Sequence, residues 1–225
     1  MDIRFLGHAC VELSDGDTRV LVDPFLTGNP QAAASADELE PTVILLTHGH
    51  ADHIGDTVAI AKRTGAPVWT MVETATELGE EGVEAVGFNL GGTVTADWGS
   101  AKLVPAWHSS VTPKGTPTTP AGLVVELGGK RIYHLGDTCL FSDLQLVRRL
   151  SGHIDVALVP IGGHYTMDRS EAVVAAEFVG ADVVIPIHYN TFPPVETDAQ
   201  AFKSDVQNAG FAQVVILEPG ESYTP

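Results

Sequence analysis

Thr47-His48-Gly49-His50-Ala51-Asp52-His53 places three imidazoles and one carboxylate within six consecutive residues, 48 to 53. The stretch follows the apolar run Val43-Ile44-Leu45-Leu46 and precedes a segment, 56 to 63, with helical patterning. A buried strand thus ends in a tight loop of ligand-type side chains. Neutral imidazole and carboxylate form the donor set that suits zinc and neighbouring divalent ions. Four such groups crowded at a strand end are costly to hold together without a cation, and an ordinary polar surface loop has no reason to assemble them.

One loop does not complete a metal site. The chain has nine histidines, at 8, 48, 50, 53, 108, 134, 153, 164 and 188. Three outlying ligand types share one context, a strand-like run that leads into them. Lys102 to Trp107 leads into His108, Arg131 to Gly136 into Asp137, and Asp182 to Ile187 into His188. Strand ends on one edge of a sheet converge, so these groups can meet the first loop. His48, His50, Asp52, His53, His108, Asp137 and His188 suffice for two metals sharing a carboxylate and a water.

The order His-x-His-x-Asp-His, lone His, Gly-Asp, lone His resembles the metallo-β-lactamase superfamily over essentially the whole chain. Phe5-Leu6-Gly7-His8, Val22-Asp23-Pro24-Phe25, Gly136-Asp137-Thr138, Pro160 to Met167 and Pro186 to Pro193 narrow the resemblance. They are similar to the small "metal-dependent hydrolase" family related to ascorbate-6-phosphate lactonase. Ala51, Cys139, Asp168 and Asn190 depart from that pattern, where glycine is more usual. The resemblance implies a four-layer αββα sandwich. It implies one metal on His48, His50 and His108, a second on Asp52, His53 and His188, and Asp137 as the bridge. Two divalent ions are expected, zinc first, with manganese or iron also compatible. The implied chemistry is hydrolysis of a small-molecule ester, lactone or phosphoester by a metal-bound hydroxide, with Asp52 orienting or deprotonating the nucleophile. A phosphodiesterase, or a mononuclear iron oxidoreductase on the same fold, is the alternative.

Composition sets the outer limits. A chain of 225 residues that is 44% hydrophobic fills the core of a single domain, here 1–225. No apolar stretch is long enough for a transmembrane helix, and no charged-then-apolar leader opens the chain, so a cytoplasmic location is expected. There Cys10 and Cys139 are expected as free thiols. A net charge of −17, from 12 Lys and Arg against 29 Asp and Glu, repels phosphate backbones and argues against nucleic acid as a partner. Asp137 and His188 lie 51 positions apart, which leaves no room for the inserted domain of related nucleases. The expected partner is a small molecule, with no membrane, and a homo-oligomer is left open.

The remaining signals are weaker. Ile3–Leu6, Cys10–Leu13 and Arg19–Val22 read as a meander, followed by alternating strands and helices, and the second half repeats that scheme. Ser109 to Pro120, rich in Pro and Thr, reads either as a lid beside His108 or as an ordinary surface connection. Asp23 is expected to orient a ligand histidine from behind. His134 is expected to be structural and His153 solvated. His8 and His164 each follow glycine in loops that the resemblance places near the metals, and at least one is expected to line the pocket as acid or substrate anchor, with His164 favoured. Tyr189, beside His188, is expected either to donate to an oxyanion or to pack.

Overall fold

A computed structural model describes residues 1–225. The first half of the chain forms strands β1 (Asp2–Gly7), β2 (Cys10–Asp15), β3 (Thr18–Val22), β4 (Val43–Leu45), β5 (Val68–Met71) and β6 (Ala85–Phe88), with helices α1 (Ala51–Ile54), α2 (Thr57–Thr64) and α3 (Val72–Glu80). The second half forms β7 (Thr93–Ala96), β8 (Gly99–Pro105), β9 (Ala121–Leu127), β10 (Lys130–His134), β11 (Val156–Pro160), β12 (Val183–Ile187), β13 (Gln213–Val214) and β14 (Ser222–Tyr223). Its helices are α4 (Leu144–Ser151), α5 (Arg169–Val179) and α6 (Ala199–Ala209).

The strands make two seven-stranded sheets, ordered β14-β1-β2-β3-β4-β5-β6 and β13-β12-β11-β10-β9-β8-β7. Each is built on one plan. In the first sheet β1 to β3 pair antiparallel, and β3 to β6 pair parallel. In the second, β7 to β10 are antiparallel and β10 to β13 parallel. The composition of the strands explains the division. The β4, β5, β11 and β12 runs are buried at every position, as strands covered on both faces must be.

Three apolar clusters fill the spaces between layers. The largest, 24 buried residues including Val11, Leu45, Leu103 and Ile185, lies between the sheets. A second packs α4, α5 and α6 on the second sheet through Leu144, Val147, Ala172, Ala176 and Phe202. A third packs α2 and α3 on the first sheet through Ile60, Ala61 and Leu78. The result is the αββα sandwich that the sequence led us to expect. The parallel strands of both sheets run to one edge. There the loops after β3, β4, β10, β11 and β12 meet, at the points where each sheet changes its pairing sense. No helix is long and apolar enough to cross a membrane.

Candidate metal centre

The loop after β4 turns directly into α1, a single turn whose N-cap is His50. This turn carries Asp52 and His53 inward beside His48. Gly49 is required between them, because a Cβ there would stand 2.6 Å from the Val111 carbonyl. The loop after β12 brings His188 to the same place. Gly162 on the neighbouring loop permits the approach, since a Cβ would stand 2.3 Å from the His188 carbonyl. His8, Asp23 and His188 all adopt the left-handed backbone region, at φ 59°, 47° and 55°. That conformation costs side-chain-bearing residues free energy and is retained where a site demands it. Asn190 shares it at φ 56°, a conformation that asparagine tolerates better than most residues.

The seven residues singled out in the sequence come together in space. His48, His50 and His108 form one group whose donor atoms lie within 4.8 Å of one another. Asp52, His53 and His188 form a second, which also includes His8, and His48, His53 and Asp137 form a third between them. His48 Nε2 is 3.0 Å from His50 Nδ1. Asp137 sits centrally: Oδ1 is 3.3 Å from His53 Nε2, and Oδ2 is 3.2 Å from His188 Nε2 and 3.5 Å from His108 Nε2. Donors bound at roughly 2.0–2.2 Å to a common ion, at tetrahedral or octahedral angles, stand about 2.8–3.6 Å apart. The spacing fits. So does the hydrogen bonding: His53 Nε2, Asp137 Oδ1 and both ring nitrogens of His188 are buried without a hydrogen-bond partner. Native proteins rarely leave such groups orphaned, and a metal at the cluster would take His53 Nε2, Asp137 Oδ1 and His188 Nε2, leaving His188 Nδ1 without a partner.

The surroundings orient these donors. Asp23, fully buried, accepts from Thr47 N at 2.8 Å, from the Thr47 hydroxyl at 2.6 Å and from His53 Nδ1 at 2.7 Å. With Nδ1 protonated, His53 presents Nε2 to the cluster, the arrangement by which a carboxylate fixes a histidine that binds a metal. The Thr47 hydroxyl gives its single proton to Asp23, so it accepts from His48 Nδ1 at 3.0 Å and leaves His48 Nε2 free. Burial alone would raise the Asp23 carboxyl, but the adjacent His53 outweighs it and the net shift is downward. His53 is pushed well up, because Asp137 and Asp23 on either side of the ring overcome its burial. Burial likewise opposes Asp137, whose histidine neighbours carry it well below the usual carboxylate range.

The two outlying histidines lie apart from the cleft lining. His164 is exposed and does not line the cleft. The turn after Gly163, closed by Gly163 N donating to the Met167 carbonyl at 2.9 Å, sends Tyr165 into the cleft and leaves His164 outside it. His8 lies beside the ligand cluster and does not line the cleft. It is 0% exposed, with Nε2 3.3 Å from Asp52 Oδ2 and Nδ1 2.9 Å from Thr191 Oγ1. Burial lowers its pKa to about 4. Tyr189 packs against the second sheet's helix-side core rather than lining the cleft, and burial pushes its phenol up to about 12. His134 is structural as expected, its Nε2 donating to the Ala9 carbonyl at 2.9 Å and its Nδ1 accepting from Gly136 N. His153 is exposed and paired with Asp182.

A cleft of about 630 Å³ opens onto the ligand cluster. His50, Asp52, His108, Asp137 and His188 form its floor, and Phe25, Phe192, Pro194 and Tyr165 form its walls. No lysine or arginine lines it. Phe25 and Phe192 lie within sequence blocks already marked near the site, but nothing in their spacing revealed which side chains face the cleft. Tyr165 was hidden by the histidine beside it.

The architecture and this donor set define a metal-dependent hydrolase of the β-lactamase superfamily. Residues 18–189 match the model of the Beta-lactamase superfamily domain. A UPF0173 metal-dependent hydrolase of Thermus thermophilus is 49% identical over 222 residues, covering 98% of this chain and 97% of its own. Another from Thermococcus onnurineus is 50% identical over 221 residues, covering 97% of each chain. The solved structure of Igni18, a metallo hydrolase from Ignicoccus hospitalis, superposes with a TM-score of 0.91 at 37% identity, covering 99% of this chain and 97% of the other. The chain therefore belongs to the UPF0173 metal-dependent hydrolases of that superfamily.

Proposed function

We propose that this protein hydrolyses a small, uncharged ester or lactone bearing an apolar or aromatic arm. Two divalent ions would be held at the cleft floor, one by His48, His50 and His108 and the other by Asp52, His53 and His188, with Asp137 shared. When bound, such ions supply an acidified water and polarise the substrate oxygen. The all-nitrogen-and-oxygen donor set suits zinc or manganese. The observation that carries the substrate class is the cleft itself: aromatic and proline walls beside the ligand cluster, with no basic side chain to hold a phosphate. That absence and the net charge of −17 also argue against a nucleic-acid partner.

The residues divide the work. Phe25, Phe192 and Tyr165 exclude water and hold the arm of the substrate. Asp52, whose side chain is 36% exposed, is the carboxylate best placed to take a proton from the attacking water. Neither His8 nor His164 lines the cleft, so Asp52 returns that proton to the leaving oxygen. Free Cys10 and Cys139 accord with action in the reducing cytoplasm.

Matched aryl esters, lactones and aryl phosphodiesters, assayed with zinc- and manganese-loaded protein, test this reading. Ester or lactone turnover is expected to exceed that of the phosphodiester by about 10²-fold or more in kcat/KM, roughly 3 kcal/mol of transition-state discrimination. The reverse order would make the protein a phosphodiesterase. One iron per chain with no hydrolysis of any substrate would make it an oxidoreductase.

A further inference from the structure

His8 is buried, has a left-handed backbone and touches the second metal group, yet the two-metal assignment gives it no part. Its role follows from tracing hydrogens. Gln31 Nε2 donates to the Tyr189 carbonyl at 3.3 Å, and Gln31 Oε1 accepts from the His8 backbone N–H at 3.4 Å. These two partners fix which end of the amide is oxygen. Thr191 Oγ1 lies 3.0 Å from that oxygen, which can only accept, so the single hydroxyl proton of Thr191 goes to Gln31. The Tyr189 carbonyl, 3.4 Å from Thr191 Oγ1, is likewise an acceptor that competes for this proton, so toward His8 Nδ1, at 2.9 Å, Thr191 Oγ1 can only accept. His8 therefore carries its proton on Nδ1, and Nε2 is left with a lone pair.

That lone pair faces Asp52 Oδ2 at 3.3 Å. Two acceptors in buried contact repel unless a cation lies between them. The separation equals that of His53 Nε2 from Asp137 Oδ1, and it falls within the range of about 2.8–3.6 Å for neighbouring donors on one ion. The backbone secures the position. His188 N donates to the His8 carbonyl at 2.7 Å, and the two rings lie 3.9 Å apart between centroids. Thr191 thus does for His8 what Thr47 does for His48: it accepts the Nδ1 proton and turns Nε2 inward.

We propose that His8 is a direct donor, through Nε2, to the metal held by Asp52, His53 and His188, and that Gln31 and Thr191 fix it in the required tautomer. This rests on the two-metal reading and extends it. The second ion would then have four protein donors before the shared Asp137 is counted, against three for the first. An imidazolium that only positions Asp52 is the rival arrangement.

Metal content and cobalt spectroscopy on the full chain separate the two. At a fixed free zinc concentration the wild-type protein is expected to hold two ions per chain, and His8→Ala one. Its second-site affinity should fall by more than the roughly 10–100-fold typical of outer-sphere partners. Thr191→Val, which keeps the donor and loses only the tautomer control, should fall within that range. In protein saturated with cobalt, the wild type should show an exchangeable, hyperfine-shifted imidazole N–H resonance that His8→Ala lacks. Circular dichroism establishes that both variants are folded, and Thr191→Val carries the test if His8→Ala is not. An unchanged set of shifted resonances in His8→Ala, or an unchanged second-site affinity in the folded variants, would overturn the proposal and leave the two-metal reading standing. A wild-type protein that takes only one ion, or none, would remove both.

Discussion

Asp23 follows β3 and Asp137 follows β10, the two strands at which each sheet turns from antiparallel to parallel pairing. Both are buried, and they approach His53 from opposite sides, Asp23 at Nδ1 and Asp137 at Nε2. Asp23 is saturated with hydrogen bonds from Thr47 and His53. Asp137 Oδ1 has no hydrogen-bond partner. The same residue type at matching points of two similar sheets is thus held by hydrogen bonds in one and left with an open oxygen in the other. The hydrogen-bond inventory, not the residue type, tells the two apart.

Substitution at the two carboxylates should break this symmetry with unequal force. Asp137→Ala removes the group that touches both halves of the centre. We expect kcat/KM to fall by about 10³-fold or more, several kcal/mol of lost charge stabilisation, with the fold retained by circular dichroism. Asp23→Asn keeps the shape and removes the charge behind His53. Metal affinity should fall by roughly 10–100-fold, measured by competition with a chelator, and activity should return when metal is added in excess. Equal and unrescued losses in the two variants would mean that Asp23 is itself a ligand.

How much of this was legible in the sequence depends on how each residue is presented. His48 to His53 is readable because a strand end and four ligand types are adjacent. His108, Asp137 and His188 are readable because each follows a strand-like run. Asp23 was readable as a support. Strand β14 was not, since two residues, Ser222 and Tyr223, carry no period, and the apolar run Val214–Leu217, which reads as a strand, contributes only Val214 to β13. His164 misled because Gly162-Gly163 signals close approach without saying which following side chain turns inward. Gln31 and Thr191 carry no signal of their own, because their role exists only through His8.

Removing the metal sharpens the contrast, because His53 is then left between two carboxylates. The raised pKa of metal-free His53 means that the folded state binds a proton more tightly than the unfolded chain. Its contribution to stability is fully present below the ordinary histidine value of about 6.5 and is lost as pH rises through the higher folded value. The melting temperature of chelator-treated protein should therefore fall as pH is raised above neutral. Metal-loaded protein should lack this fall, since a ligand histidine is already deprotonated. Parallel profiles for the two forms would place the metal elsewhere.

The cleft wall offers a smaller effect. Tyr165, 55% exposed, lines the cleft, while His164, exposed beside it, does not, although the sequence had marked only His164. Tyr165→Ala should raise KM for an aryl substrate by about 2–10-fold, the worth of one aromatic contact, with kcat little changed. His164→Ala should leave both parameters within about twofold. A large loss of kcat in His164→Ala, confined to substrates with poor leaving groups, would return it to the role of general acid.

The segment Ser109 to Pro120 tests the same point at its weakest. Its sequence left a lid and an ordinary surface connection equally open, and its contacts describe a fastened connection. Ser110 Oγ accepts from Gly49 N at 3.2 Å, and Val111 bridges to Pro117 across the loop. The Thr112 hydroxyl donates to the Glu77 carboxylate on α3, Lys114 N donates to the same carboxylate, and Lys114 Nζ pairs with Glu80 and Glu81. The outer ion pairs are solvent-exposed and contribute little, whereas the Gly49 contact ties the loop to the ligand hexapeptide. Lys114→Ala should thus change kcat/KM by less than about twofold, with the same dependence on solvent viscosity as the wild type. Should Lys114→Ala instead alter kcat and KM together by tenfold or more, opening and closing of this loop would be part of turnover, and a segment fastened at its base would still move at its tip.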